Sequence, residues 1–323
     1  MKITGKIERL AKGDRTQMDA YVSDSCPFIV SNGIGNWPGV SRWSPNYFRS
    51  RLGGLQVRYR VSSCNLHPDL TPDEKKHAPI ESGTLEKYLD LIVGPDCEGA
   101  QSRYYMTGDG LTMSLFTGRN PNEGFRPILD DIQVPDLVPR GALVSAGIWL
   151  SARGTTTWLH YDSGGLHNLN AQVTGSKRIL LFSPDQLSRM YMYSLSSKPA
   201  ATNYSRVDAT APDFAAFPEF RQTEALEEEL APGDVLFLPA FWFHLFESRG
   251  SFNSNVNFWW PAERLQLSAT SIRSVCLRGL VDALGEGNPV MFKRNLKELS
   301  DDLRSFLGEY ERRLDHYGDV RCL

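Results

Sequence analysis

Cysteine is scarce in this chain: the five thiols, Cys26, Cys64, Cys97, Cys276 and Cys322, are scattered and never form a C-x-x-C pair. An odd number without that spacing excludes a disulfide framework and a zinc knuckle, so they are read as reduced thiols. Long apolar runs are missing too. "VLFLPAFWFHLF" at 235–246 is too short to span a bilayer, and the opening "MKITGKIERLAKGDR" lacks the apolar core of a signal peptide. A cytoplasmic protein without a membrane partner is expected. Positive charge is not in excess: 35 Lys and Arg stand against 38 Asp and Glu, a net charge of −3. Proteins that neutralise many phosphates usually carry a basic patch, so a nucleic-acid partner is not favoured. The acidic "EALEEEL" (224–230) is read as a solvated face.

What is present is a length of 323 residues with ordinary apolar content, enough for a full hydrophobic core. No repeat or long linker divides it, but three zones differ in pattern. Residues 1–95 form an N-terminal flanking region of mixed α/β elements. There "SNGIGNWPG" (31–39) reads as a loop, "SPNYFRSRLGG" (44–54) as a short helix with Ser44 as cap and Pro45 in its first turn, and "LQVRYRV" (55–61) as a strand. Residues 96–262 are rich in short β-like runs, "ALVSAGIWL", "LNAQVTG", "KRILLF", "DVLFLP" and "SNVNFWW", separated by turn residues. That pattern predicts a mainly β fold, an antiparallel sandwich or barrel. Residues 263–323 change to helical period: Ile272, Val275, Leu280 and Leu284 lie on one stripe, and Leu296, Leu299, Leu303, Phe306, Tyr310, Leu314 and Tyr317 on a second. The second stripe either pairs with another copy of the chain, giving a homodimer, or packs on the chain's own barrel.

The chemistry concentrates in "TWLHYDSGGLHNLNAQVTGSKRILLFSP" (157–184), where His160 and Asp162 stand two apart. In a strand, residues i and i+2 point to the same face, and a histidine and a carboxylate on one face suggest a metal. His244, after "LAPGDVLFLPAFWF", is the candidate third ligand. One histidine in an aromatic run is ordinarily a satisfied core residue; the partnership with His-x-Asp changes that. Two imidazoles and one carboxylate make the facial triad of non-haem iron(II) oxygenases, which leaves positions open for a 2-oxo acid and dioxygen. A dicarboxylate such as 2-oxoglutarate needs a buried cation for its far end. Lys177, opening "KRILLF", suits that role, since a buried lysine is costly unless a carboxylate pairs with it.

These segments, with "DFAAFPEF" and "NVNFWW", resemble the JmjC/cupin-like 2-oxoglutarate-dependent oxygenases. The likeness is to the branch of the hypoxia-inducible-factor asparaginyl hydroxylase and the tRNA wybutosine hydroxylase. H-x-D alone is weak; the ordered set is specific, and the likeness is strong from about 100 to 262. The resemblance implies a double-stranded β-helix (jelly-roll, cupin) core, with flanking N-terminal α/β elements and a C-terminal helical segment. It implies Fe(II), 2-oxoglutarate as co-substrate, and O2. Position by position, it makes His160, Asp162 and His244 the iron ligands and Lys177 the partner of the distal carboxylate. Thr157 and Tyr105 become hydroxyl donors to that same carboxylate, and Asn168 and Asn257 line the co-substrate pocket. Trp259 and Trp242 match wall positions and are read as packing. The chain departs from those two relatives in "SGGLH" between Asp162 and Asn168, a spacer two residues longer. Gly164 and Gly165 could form a bulge there, and His167 could face the substrate.

The implied reaction hydroxylates an unactivated C–H with succinate and carbon dioxide as co-products. The tyrosine-rich stretch within 184–223 is expected beside the barrel mouth. It suits an amino-acid side chain, free, carrier-bound or in a peptide, or a small molecule; a tRNA nucleoside is the runner-up. A cupin metal enzyme that uses no 2-oxo acid is the alternative chemistry, against which Lys177, Thr157 and Tyr105 speak together.

Overall fold

Local sequence chemistry sets the elements around the core. Ser44 caps a helix by accepting the Tyr47 N–H at 3.2 Å, and Pro45 takes the first position, where its missing donor costs nothing. In the computed structural model, which describes residues 1–62, 80–94, 103–106, 123–162, 165–193 and 203–262, this helix is α3 (Pro45–Leu52). The others are α1 (Arg15–Ser23), α2 (Pro38–Arg42) and α4 (Leu85–Val93). The strands are β1 (Lys2–Gly5), β2 (Glu8–Leu10), β3 (Phe28–Val30), β4 (Gln56–Ser62), β5 (Ile80–Thr84), β6 (Arg103–Met106) and β7 (Ser145–Ala152). They continue as β8 (Thr156–His160), β9 (Leu166–Thr174), β10 (Lys177–Phe182), β11 (Glu224–Leu230), β12 (Val235–Leu238), β13 (Phe243–Ser248) and β14 (Phe252–Pro261).

Two sheets make the jelly-roll core. One runs β1-β11-β10-β13-β8 and the other β2-β3-β12-β9-β14-β7, with a third, smaller sheet β5-β4-β6. Between the two large sheets lies an apolar cluster that includes Ile29, Ile179, Leu181, Leu230, Leu236, Leu238 and Phe246. Because side chains alternate, the same strands present a second set outward. Leu180 and Phe182 of β10 pack with Phe220 and Phe243 outside the smaller large sheet, while Leu169 and Phe237 pack beneath the helices.

The N-terminal stretch contributes to both sheets: β1 runs parallel to β11, and β2 runs parallel to β3 inside the six-stranded sheet. The acidic segment read as a solvated face is β11, antiparallel to β10, with Ala225 and Leu230 buried. The loop expected at 31–39 ends early, because α2 begins at Pro38. A buried Asp131 accepts from Arg42, the Trp43 indole and the Tyr47 hydroxyl, tying α2 and α3 to the 3-10 segment Glu123–Asp131. Among the described residues no helix is long and apolar enough to cross a membrane. The two amphipathic helices expected within 263–323, and the dimer contact read from the second, lie outside the described residues.

Candidate metal centre

β8 and β13 lie side by side, and their register sets His160 directly across from His244. Asp162 follows β8 by two residues. The three side chains converge, with ligand atoms all within 4.8 Å of one another. Asp162 Oδ1 is 3.8 Å from His160 Nε2 and 3.7 Å from His244 Nε2. Two ligands held about 2.1 Å from one ion can be at most about 4.2 Å apart, so both separations fit a shared metal.

The unused atoms are fixed in a way that favours a cation. Nδ1 of His160 faces the Trp158 carbonyl at 2.6 Å, and Nδ1 of His244 faces the Trp242 carbonyl at 3.0 Å. A neutral ring that donates from Nδ1 keeps its Nε2 lone pair for a metal. Asp162 Oδ2 accepts from Asn168 Nδ2 at 2.8 Å and from Trp259 Nε1 at 3.0 Å, which leaves Oδ1 to face the imidazoles. Burial alone would raise the Asp162 carboxyl, but His244, His160 and the donors Trp259 and Asn168 outweigh it and hold the group below its usual range. A carboxylate ionised in place and two oriented imidazoles are a donor set suited to a first-row divalent metal.

A bulge shapes the same strand pair. Thr157 pairs with Phe246 while His160 pairs with His244, so β8 spends one residue more than β13 between these points. Residues three apart on a regular strand face opposite sides; the bulge sets Thr157 and His160 both across from inward-facing residues of β13. The Thr157 hydroxyl accepts the Phe246 N–H at 2.9 Å.

Lys177 is 6% exposed, in the barrel. Its ammonium donates to Asn255 Oδ1 and sits 5.5 Å from the centre of the Phe246 ring. Among the described residues no carboxylate pairs with it, and burial pushes it down to about 7. Asn257 is also buried; its amide donates to Asn168 Oδ1 at 3.0 Å. Tyr105, on β6, stacks on Trp149 with ring centres 5.5 Å apart, and Trp149 lies directly across from Asn255 in the β7–β14 register.

Three neighbours differ from expectation or were missed. His167 does not face the site: it lies on the opposite face of β9 between Phe237 and Trp260, and its Nδ1 accepts the Ala240 N–H at 3.2 Å. Strand alternation dictates this, since Asn168 faces inward. Within the same spacer, Gly165 takes a positive φ of 63°, while 163–164 lie outside the described residues. Trp259 does more than pack, because its indole holds Asp162; Trp242 donates instead to the Ser25 carbonyl at 2.9 Å, on the packing side. Asn255, the acceptor for Lys177, was not singled out, although "FNSNVNFWW" spaces Asn253, Asn255 and Asn257 two apart and so on one face. Of the segment expected beside the mouth, 194–202 lie outside the described residues, and the part that follows runs against β8: Ser205 N–H donates to the Leu159 carbonyl at 2.9 Å, and Tyr204 stacks on His160 with ring centres 5.0 Å apart.

Comparisons with known proteins give the family. The family described as a cupin-like domain matches residues 14–265. The chain is 26% identical over 306 residues to "tRNA wybutosine-synthesizing protein 5" of Gallus gallus, covering 88% of this chain and 86% of that protein. It is 27% identical over 266 residues to "HSPB1-associated protein 1" of Homo sapiens, covering 80% of this chain but only 52% of the relative. Over 263 residues it is 27% identical to "Lysine-specific demethylase JMJ30" of Arabidopsis thaliana, covering 79% of this chain and 56% of that protein. The chain therefore spans about half the length of the latter two relatives.

Proposed function

The chain belongs to the cupin-like domain family, and on that premise we propose that it is an Fe(II)- and 2-oxoglutarate-dependent dioxygenase that hydroxylates an amino-acid side chain, free, carrier-bound or in a peptide. The observation that carries the reading is the pairing of two half-sites in one barrel: a convergent His160, Asp162, His244 set and a buried Lys177 that no carboxylate among the described residues pairs with. A buried cation without an anionic partner is costly, so its natural occupant is a carboxylate brought by a ligand.

In this reading His160, Asp162 and His244 would hold the iron and Lys177 would hold the distal carboxylate of the co-substrate. The bound metal and co-substrate would supply the oxidising chemistry, yielding succinate and carbon dioxide alongside hydroxylated product. The chain's own work is placement. Trp158 and Trp242 carbonyls fix the imidazole tautomers, and Asn168 and Trp259 hold one Asp162 oxygen so that the other faces the metal. Asn257 keeps Asn168 in place, and Thr157, across from Phe246, and Tyr105, stacked on Trp149, would add hydroxyls at the co-substrate end. The apolar cluster around Phe246 keeps that end dry, which strengthens the charge pairing.

A tRNA nucleoside is the second reading for the substrate, favoured by the match with the wybutosine-synthesizing protein over most of both chains. Mass spectrometry of free amino acids, peptides and tRNA after incubation with Fe(II), 2-oxoglutarate and oxygen separates them. A gain of one oxygen on an amino acid or peptide supports the first reading, and on a tRNA nucleoside the second. Absence of succinate in every incubation would reject the oxygenase and favour a cupin metal enzyme of other chemistry.

A further inference from the structure

Three inward-facing asparagines connect the two half-sites without a break. Lys177 Nζ donates to Asn255 Oδ1, Asn255 Nδ2 to Asn257 Oδ1, Asn257 Nδ2 to Asn168 Oδ1, and Asn168 Nδ2 to Asp162 Oδ2. The last two bonds are 3.0 and 2.8 Å, and all three asparagines are buried. The ends dictate the sense. An ammonium can only donate and a carboxylate can only accept, so each amide must turn its oxygen toward Lys177 and its nitrogen toward Asp162. Turning one amide alone would set oxygen against oxygen or N–H against N–H in a buried place, at the cost of an unsatisfied group on each side.

We propose that Asn255, Asn257 and Asn168 form a polarised amide relay that makes the co-substrate anchor and the metal-binding carboxylate one positioned unit, with Asn255 as a positioning residue for both ends. The proposal rests on the oxygenase reading for the meaning of its ends, while the relay is defined by the hydrogen bonds themselves. Asn255 sits on β14 across from Trp149 on β7, so it is held by the sheet and does not touch the metal set. Its role is to accept from Lys177 while giving an N–H to Asn257. That second gift matches the present sense of the Asn257 and Asn168 amides, so a group at 255 that reversed it would turn them over and, through them, disturb Asp162 Oδ2. Asn170 Nδ2 also reaches Asn257 Oδ1 at 3.5 Å, a weaker support from the neighbouring strand.

Polarity gives a test that simple packing does not. Asn255→Asp keeps shape and still accepts from Lys177, but has no N–H for Asn257. To satisfy the new carboxylate Asn257 must turn over, its oxygen then meets that of Asn168, and Asn168 in turning presents oxygen to Asp162. Asn255→Ala breaks the chain without reversing it, and Asn170 still supports Asn257. Calorimetric titration of Co(II) into the metal-free full chain should therefore show affinity lowered roughly tenfold or more by Asn255→Asp, as for loss of an outer-sphere partner, and held near wild type by Asn255→Ala. Glutarate, which has the carboxylate spacing of 2-oxoglutarate without its keto group, reads the other end. Its affinity for the Co(II)-loaded protein should fall in both variants, more in Asn255→Asp, where an internal carboxylate already pairs with Lys177.

Equal Co(II) affinity in wild type and both variants overturns the relay, and so does an equal loss in both, which would indicate disruption without polarity. If Asn255→Asp does not fold, Asn255→Ala decides alone: unchanged glutarate affinity overturns the proposal. Failure of wild type to bind Co(II) at all would instead reject the metal-site reading beneath it.

Discussion

At the scale of single residues, Lys177 and Asp162 carry opposite charges into one barrel and meet burial differently. Asp162 is held ionised by the imidazoles and two donors, whereas Lys177 meets a neutral amide and an aromatic ring, with no carboxylate among the described residues, and burial pushes it down to about 7 from 10.5. Between those two values the unfolded chain binds more protons at this site than the folded one, so this group's penalty is full below pH 7 and fades as pH rises toward 10.5. Denaturant midpoints of wild type against Lys177→Met should thus converge over that range; a gap that does not change with pH would contradict the burial of the ammonium. Binding of 2-oxoglutarate needs the ammonium, so its dissociation constant should rise up to about tenfold per pH unit above 7, as measured by calorimetry at constant metal loading. Trp259→Phe keeps an aromatic side chain, though a smaller one, and removes the N–H to Asp162 Oδ2; Co(II) affinity should fall roughly tenfold or more, and an unchanged value would return Trp259 to packing alone.

At the scale of elements, the Gly175 turn decides where Lys177 points. It carries the chain from β9 in one sheet to β10 in the other, with φ of 70°. A Cβ there would come within 2.4 Å of the Phe252 carbonyl oxygen, so Gly175→Ala is both strained and obstructed. A loss of about 1–3 kcal/mol in urea unfolding is expected, and a neutral substitution would contradict the turn geometry. Elements of this kind were legible where a local rule acts alone. "DVLFLP" reads as a strand, Ser44 as a cap, and "KRILLF" as a strand opened by an inward lysine, as observed. The β8 bulge was not legible: period two puts Thr157 and His160 on opposite faces, and only pairing with β13 inserts the residue that re-phases them. Nor could β1 and β11 be read, because Lys2–Gly5 and Glu224–Leu230 look like solvent-facing charge until a sheet edge brings them together.

At the scale of the whole molecule, the fold explains why distant segments make one site. His160 and His244 meet because β8 and β13 are neighbours in one sheet, while Asn168 and Asn257 meet because β9 and β14 are neighbours in the other. The sequence could supply the first pairing by ordered motif, but the amide chain across the barrel depends on register. Assembly remains a proposal from the apolar stripe at 296–317: a homodimer, for which light scattering at micromolar concentration should give twice the 36.3 kDa chain mass. A single-chain mass would reject it. Whether one barrel binds a metal and the two ends of 2-oxoglutarate is tested most directly by anaerobic titration of 2-oxoglutarate into the Fe(II)-loaded protein. Wild type should develop a metal-to-ligand absorption band at one co-substrate per chain. Lys177→Ala removes one partner of a buried charge pair, worth roughly 3–5 kcal/mol, so the same band should need about a hundredfold more co-substrate or beyond, with Fe(II) affinity unchanged. No band in wild type would contradict joint binding of metal and co-substrate in the barrel.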